Sequence, residues 1–221
     1  MSSLLAAKPG DCLLLHATDS APRNLAYAKK AGFESRELYV QARRAELLEA
    51  MAVAGIRPEQ CLESPIADQD AVRQIPQIAG RVRDLIQEWR PARVYTHAYE
   101  GGHPDHDAVA RAVHLASSVP VWEFAGYHLR DGEYEVMRFL PGGGQEEAVS
   151  LDAAERARKR AMFECFRSQR RVLSRFPVDE ERFREAPAYD FGQPPHSGPL
   201  YYETRDLGWT WREASAYFKV R

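Results

Sequence analysis

Between Thr96 and Asp107 the chain reads Thr-His-Ala-Tyr-Glu-Gly-Gly-His-Pro-Asp-His-Asp, setting the imidazoles of His97, His103 and His106 beside the carboxylates of Asp105 and Asp107. Side chains of these types at this density suit two kinds of chemistry: proton transfer near neutral pH and the binding of a metal ion such as zinc. His103 and His106 stand three apart, so on a helix both face one cavity without aiming at the same atom. A catalytic zinc takes about three protein ligands, and this pair supplies at most two. The remaining ligands must come from elsewhere.

The flanking sequence has to position these groups. Ala92 to His97 reads as a strand, and Val109, Ala112, Val113 and Ala116 recur at helical spacing after the histidines. Gly101 and Gly102 permit a sharp turn between them. Pro104 suits the first helical position, where a missing N–H costs nothing, and Asp105 and Asp107 complement the positive helix end. A strand end feeding a helix start is where open α/β sheets place their ligands.

The rest of the chain supplies the sheet and helices for such a loop. Ser2 to Gly10 reads as the tail of a helix, and Cys12 to His16 as a short strand buried on both faces. A polar loop, Thr18 to Asn24, leads to a helix over Ser35–Ala54 ended by Gly55. Gln60 to Ser64 is a weak strand. The positions Val72, Ile75, Ile78, Ala79, Val82, Leu85, Ile86 and Trp89 form a helical stripe, with Pro76 requiring a start near Ile75 or a kink. Strand alternating with helix predicts an α/β fold: a Rossmann-like, mostly parallel sheet with flanking helices.

The C-terminal half adds antiparallel strands, Val119–His128 and Tyr134–Leu140, joined by a turn at Arg130–Glu133. A long helix is expected from Asp152 to Phe176. From about residue 177 prolines and aromatics follow without a clear period, which predicts an irregular segment folded over the sheet. The 221 residues fit a single domain, 1–221.

With 30 basic against 32 acidic side chains the net charge is -2, which invites neither nucleic acid nor an anionic membrane. No apolar run approaches a membrane span. Cys12, Cys61 and Cys165 are odd in number and scattered, which argues against a disulfide framework and for a reducing, cytoplasmic setting.

Four segments then stand in a telling order: Thr18-Asp19-Ser20 after a strand; Arg43-Arg44-Ala45-Glu46 followed by Ala54-Gly55-Ile56; Gly102-His103-Pro104-Asp105-His106; and Lys159-Arg160-Ala161 leading to Arg167-Ser168-Gln169. In this order and at these separations the chain resembles, over most of its length, the PIG-L/LmbE-like family of zinc-dependent N-deacetylases, which act on N-acetylglucosamine-type amides. The resemblance implies a small-molecule N-acetylated substrate. It makes His106 a metal ligand, and His103 the group that stabilises the tetrahedral intermediate or assists the leaving amine. It makes Arg43 a substrate contact. Asp105 is expected to orient one of the histidines, as acids behind metal ligands do.

The family's first strand, with a His-Pro-Asp-Asp motif carrying two further ligands and the general base, has no counterpart in this sequence. The expectation is therefore weak zinc binding and little hydrolysis by the chain as it stands, with unpaired strand edges that favour self-association. The alternative is a non-catalytic binding or regulatory protein on the same scaffold. His16, His97 and His128 read as structural residues, with His97 close to the crevice.

Overall fold

A computed structural model describes residues 1–205 and 207–219. In chain order the elements are α1 (Ser2–Ala7), β1 (Leu14–His16), α2 (Leu25–Lys30), α3 (Arg36–Val53), β2 (Cys61–Glu63), α4 (Ile75–Trp89), β3 (Val94–His97) and α5 (Pro104–Ala116). There follow β4 (Val121–Phe124), β5 (Tyr127–Arg130), β6 (Glu133–Val136), β7 (Glu146–Ser150), α6 (Ala153–Cys165), α7 (Arg170–Leu173), β8 (Glu180–Glu185), α8 (Tyr201–Thr204) and α9 (Trp211–Phe218). The fold is α/β, with both parallel and antiparallel strand pairs. The chain divides into two compact units, one of residues 1–68 and 149–181, the other of 69–148 and 182 onward.

In the first unit β1 and β2 pair in parallel, Leu14 opposite Cys61 and His16 opposite Glu63. Helix α3 opens where the Ser35 hydroxyl accepts the Leu38 N–H, and it closes at Ala54 ahead of Gly55, whose φ of 79° is left-handed. Its face Leu47, Ala50 and Met51 packs with Leu5, Ala54, Ile56, Cys61 and Met162 into one core. The helix expected from Asp152 to Phe176 is interrupted: α6 ends at Cys165, a tight turn spans Arg167–Gln169, and α7 resumes at Arg170. The cause is Glu46, whose buried carboxylate accepts the Ser168 N–H at 2.8 Å and its hydroxyl at 2.7 Å. That N–H is thereby withdrawn from the helical ladder.

In the second unit β3 and β4 pair in parallel, Val94 opposite Val121 and His97 opposite Phe124. β8 joins β4 antiparallel, with Glu123 opposite Arg184, in a sheet of order β3-β4-β8-β7. Helix α4 begins at Ile75 with Pro76 in its first turn and buries Ile75, Ile78, Ala79, Val82, Leu85 and Ile86. Trp89, expected on that stripe, is exposed instead. Helix α5 presents Ala108, Ala112, Val113 and Ala116 to the interior.

The strand expected over Val119–His128 is two strands. β4 stops at Phe124, because the Gly126 and Tyr127 N–H groups turn to the Glu100 carboxylate at 3.1 and 2.9 Å. β5 and β6 then form a hairpin whose turn residues Asp131 and Gly132 both have positive φ, 53° and 84°. The segment expected to be irregular from residue 177 contains β8, α8 and α9. Strand β8 escapes the hydrophobic pattern because its buried positions include Glu181 and Arg184. Arg184 is neutralised by Glu123 at 2.6 Å, and the Tyr189 hydroxyl donates to the same carboxylate. Among the described residues no helix is long and apolar enough to cross a membrane.

Candidate functional site

The loop from Ala98 to His103 leaves β3 and enters α5, and its course is fixed by Asp107. That fully buried carboxylate reaches back from the helix, and its Oδ1 accepts the N–H groups of Glu100 and Gly101, both at 3.1 Å. Burial pushes its pKa up while these bonds oppose the shift. Gly101 has a left-handed φ of 74°. Gly102 is required for a different reason: a Cβ there would lie 1.8 Å from the carbonyl oxygen of Tyr127.

His103 is the N-cap of α5. Its Nδ1 accepts the Asp105 N–H at 3.2 Å, so in the neutral ring the proton sits on Nε2. Burial alone lowers its pKa to about 4, so the ring is neutral at pH 7. His106 is one turn on. Its ring stacks on His97 with centroids 3.9 Å apart and planes 2° from parallel, and lies 5.1 Å from the His103 ring and 5.6 Å from that of Tyr127. Burial, and then the neighbouring His103, hold its pKa well below the usual histidine range. Among the described residues its buried Nδ1 has no hydrogen-bond partner.

Asp105 has an anchoring geometry. Oδ2 accepts the Gln69 N–H at 2.6 Å and Oδ1 the Ala71 N–H at 3.0 Å. Gln69 adopts a left-handed φ of 72°, and its carbonyl accepts the Trp209 indole N–H at 2.7 Å. Asp105 thus ties the first turn of α5 to the 69–71 segment, and the Gln69 backbone, in an uncommon left-handed conformation, is held through both its N–H and its carbonyl.

The structure brings His103, Asp105 and His106 together in the second unit and adds His97, which stacks on the metal-ligand candidate. His128 is fully buried, with Nδ1 3.3 Å from Glu100 and Nε2 3.4 Å from Glu135. Arg43 belongs to the first unit. It lines a cavity of about 410 Å³ that His16, Asp19, Arg44 and Glu63 also border. There its Nη1 donates to Glu46 at 3.0 Å. His16 is driven to a pKa of about 4 by burial, and then by the positive charges of Arg43 and Arg44.

Two residues that pattern reading passes over shape the loop. Glu100 accepts two backbone N–H groups from the start of β5, and Tyr127 packs on both Gly102 and His106. A carboxylate just before Gly-Gly at a strand end was the available signal for the first.

The donor set can be tested against zinc. A neutral imidazole with a buried, unpartnered nitrogen fits a zinc ligand, and His106 meets that description. His103 offers Nε2 as a donor of its proton, and both Asp105 oxygens already accept backbone N–H groups.

Residues 4–117 match the family described as PIG-L: GlcNAc-PI de-N-acetylase. Among solved structures, the zinc-inhibited form of teicoplanin deacetylase Orf2 is similar with a TM-score of 0.63 at 16% identity, covering 86% of this chain and 94% of that one. A deacetylase–teicoplanin complex gives 0.65 at 18%, covering 85% and 93%. The A40926 pseudoaglycone deacetylase Dbv21 gives 0.61 at 19%, covering 85% and 92%. At these identities the likeness is one of fold. No curated protein sequence matches the chain.

Proposed function

The chain belongs to the PIG-L (GlcNAc-PI de-N-acetylase) family, and from that premise we propose that it removes an N-acetyl group, by zinc-assisted hydrolysis, from an amino sugar or related small amide. The observation that carries the reading is the pair of neutral imidazoles at the start of α5, one with an unpartnered nitrogen and the other with its proton on the outer nitrogen.

His106 would hold the metal through an imidazole kept neutral by burial. When bound, zinc lowers the pKa of its water to about 7 and polarises the acetyl carbonyl. His103 donates its Nε2 proton as a hydrogen bond to the carbonyl oxygen as negative charge develops there. Its orientation is set by the Asp105 N–H on Nδ1, and that of the helix start by the Asp105 carboxylate on Gln69 and Ala71. His97 excludes water from one face of His106. Arg43, held in the first unit by Glu46 and Ser168, keeps the role of a substrate contact that the family resemblance implies.

Three free thiols support a reducing, cytoplasmic setting. A short two-stranded β1–β2 sheet supports self-association through a strand edge.

A second reading, a binding protein that keeps the scaffold without turnover, is favoured by the commitment of both Asp105 oxygens to backbone N–H groups. That leaves the site short of an obvious base. Zinc titration separates the two. The deacetylase reading expects zinc binding that is weak but measurable and falls by a factor on the order of a hundred in His106→Ala, with loss of acetate release. Zinc affinity unchanged by that substitution removes His106 from the site.

A further inference from the structure

Within the second unit a chain of hydrogen bonds runs from the C-terminal segment to His103. Trp209, buried just ahead of α9, donates its indole N–H to the Gln69 carbonyl at 2.7 Å. The Gln69 N–H donates to Asp105 Oδ2 at 2.6 Å, and the Asp105 N–H donates to His103 Nδ1 at 3.2 Å. The indole is itself held in place. The Arg73 guanidinium lies 4.3 Å from its ring centre, and Tyr217, on α9, meets it edge-on at 86°. Further along the catalytic helix, Arg111 Nε donates to the Phe218 carbonyl at 3.0 Å, so the C-terminal segment grips α5 at a second level.

Gln69 is the link on which the chain depends. Its φ of 72° is one that a residue with a β-carbon leaves unless its surroundings hold it there. The two holds are the Asp105 carboxylate on its N–H and the Trp209 indole on its carbonyl. Without the indole N–H the Gln69 backbone is released toward negative φ. That rotation turns its N–H away from Asp105 and loosens the grip of the 69–71 segment on the start of α5. The Asp105 N–H fixes the His103 tautomer, and a shift there misdirects the Nε2 proton. Because that proton acts on charge developing in the transition state, the loss falls on kcat rather than on KM.

We propose that Trp209 is a positioning residue for amide hydrolysis: its indole N–H holds Gln69 left-handed and, through Asp105, aims His103 Nε2 at the acetyl carbonyl. The proposal rests on the reading of His103 as the oxyanion donor. The relay itself is read without turnover, so the two can fail separately.

The test uses the whole chain and two readings. The first is zinc-supplemented acetate release from methyl N-acetyl-β-D-glucosaminide. Trp209→Phe keeps an aromatic ring and removes the N–H, and should lower kcat about tenfold with KM within about twofold. In a Gln69→Gly background the left-handed backbone needs no support, and the same substitution should lower kcat by less than about threefold. Gln69→Val leaves Trp209 untouched but disfavours positive φ, and should reproduce the loss of about tenfold. The second reading is the pair of His103 ring ¹⁵N signals in metal-free protein, assigned by their absence from His103→Ala. They should report the Nε2–H tautomer in the wild type, move toward a mixture of tautomers in Trp209→Phe and Gln69→Val, and return in the Gln69→Gly, Trp209→Phe double variant.

Unmoved His103 signals in natively folded Trp209→Phe, or signals that move equally in both backgrounds, would overturn the relay. A change confined to KM would do the same. Should Trp209→Phe not fold, Gln69→Val decides by the same two readings. His103 signals that follow the expected pattern while no protein releases acetate would leave the relay standing and defeat the deacetylase reading. Acetate release with His103 indifferent to Trp209 would do the reverse.

Discussion

Replacing Gly102 by alanine adds one methyl group where the structure has no room for it. The new Cβ would stand 1.8 Å from the Tyr127 carbonyl oxygen, 3.0 Å from its carbon and 3.2 Å from Cδ2 of the ring. An ordinary contact is about 3.5 Å, so the two backbones must part by more than 1 Å. Tyr127 cannot retreat easily: its N–H is held by Glu100 at 2.9 Å, and it pairs with Val136 across the hairpin. The displacement therefore falls on the loop that delivers His103. Overpacking of this kind costs about 1–3 kcal/mol, which for a chain of this length lowers Tm by about 5 °C. A shift of about 1 Å at a catalytic group costs on the order of a hundredfold in rate. Gly80 is the internal control, because it lies inside α4 with nothing among the described residues within 4 Å of the position of a Cβ. Gly80→Ala should stabilise by up to about 1 kcal/mol through helix propensity. Thermal melts and acetate release on both variants make the comparison. Wild-type Tm and wild-type rate for Gly102→Ala would refute the steric reasoning.

Other substitutions probe the surrounding structure. Glu46→Ala removes the acceptor of Arg43 and of Ser168 in a buried setting, and should destabilise by about 3–5 kcal/mol in denaturant melts. Glu49→Ala, which breaks only the exposed pair with Arg167, should leave the denaturant midpoint where it is in the wild type. Asp105→Ala strands the Gln69 and Ala71 N–H groups and should cost about 2–4 kcal/mol, whereas Asp105→Asn, keeping one acceptor, should cost roughly half as much by the same melts. His16, with a folded pKa of about 4 against 6.5, is neutral in the fold and takes up its proton more readily when unfolded. Its contribution is whole above pH 6.5 and falls as pH drops toward 4, by at most about 3 kcal/mol, so His16→Asn should flatten the stability profile across that window.

The sequence and structure agree where local chemistry governs. Ser35 and Gly55 bound α3 as capping residues should, Pro76 marks the start of α4, and Pro104 opens α5 behind a histidine cap. Periodicity missed what distant partners impose. The break after Cys165 depends on Glu46, more than a hundred residues earlier, and the break after Phe124 depends on Glu100. Strand β8 was hidden because buried charges at Glu181 and Arg184 are neutralised by residues remote in sequence. At the site, His103 and His106 were legible from spacing. The stacking of His97 on His106 was not, since it depends on how β3 meets α5. Asp105 was placed beside the histidines, but its hold on residues 69–71 is a tertiary fact.

The central claim is that the imidazoles of His103 and His106 serve amide hydrolysis. Its most direct test is quantified acetate release from an N-acetylglucosaminide by the zinc-supplemented protein, beside His106→Ala and His103→Ala. The account predicts turnover by the wild type, loss of detectable release without His106, and a fall of on the order of a hundred- to a thousandfold without His103, the range for one oxyanion donor. Wild-type rates in both variants, or no acetate from the zinc-loaded wild type, would contradict it.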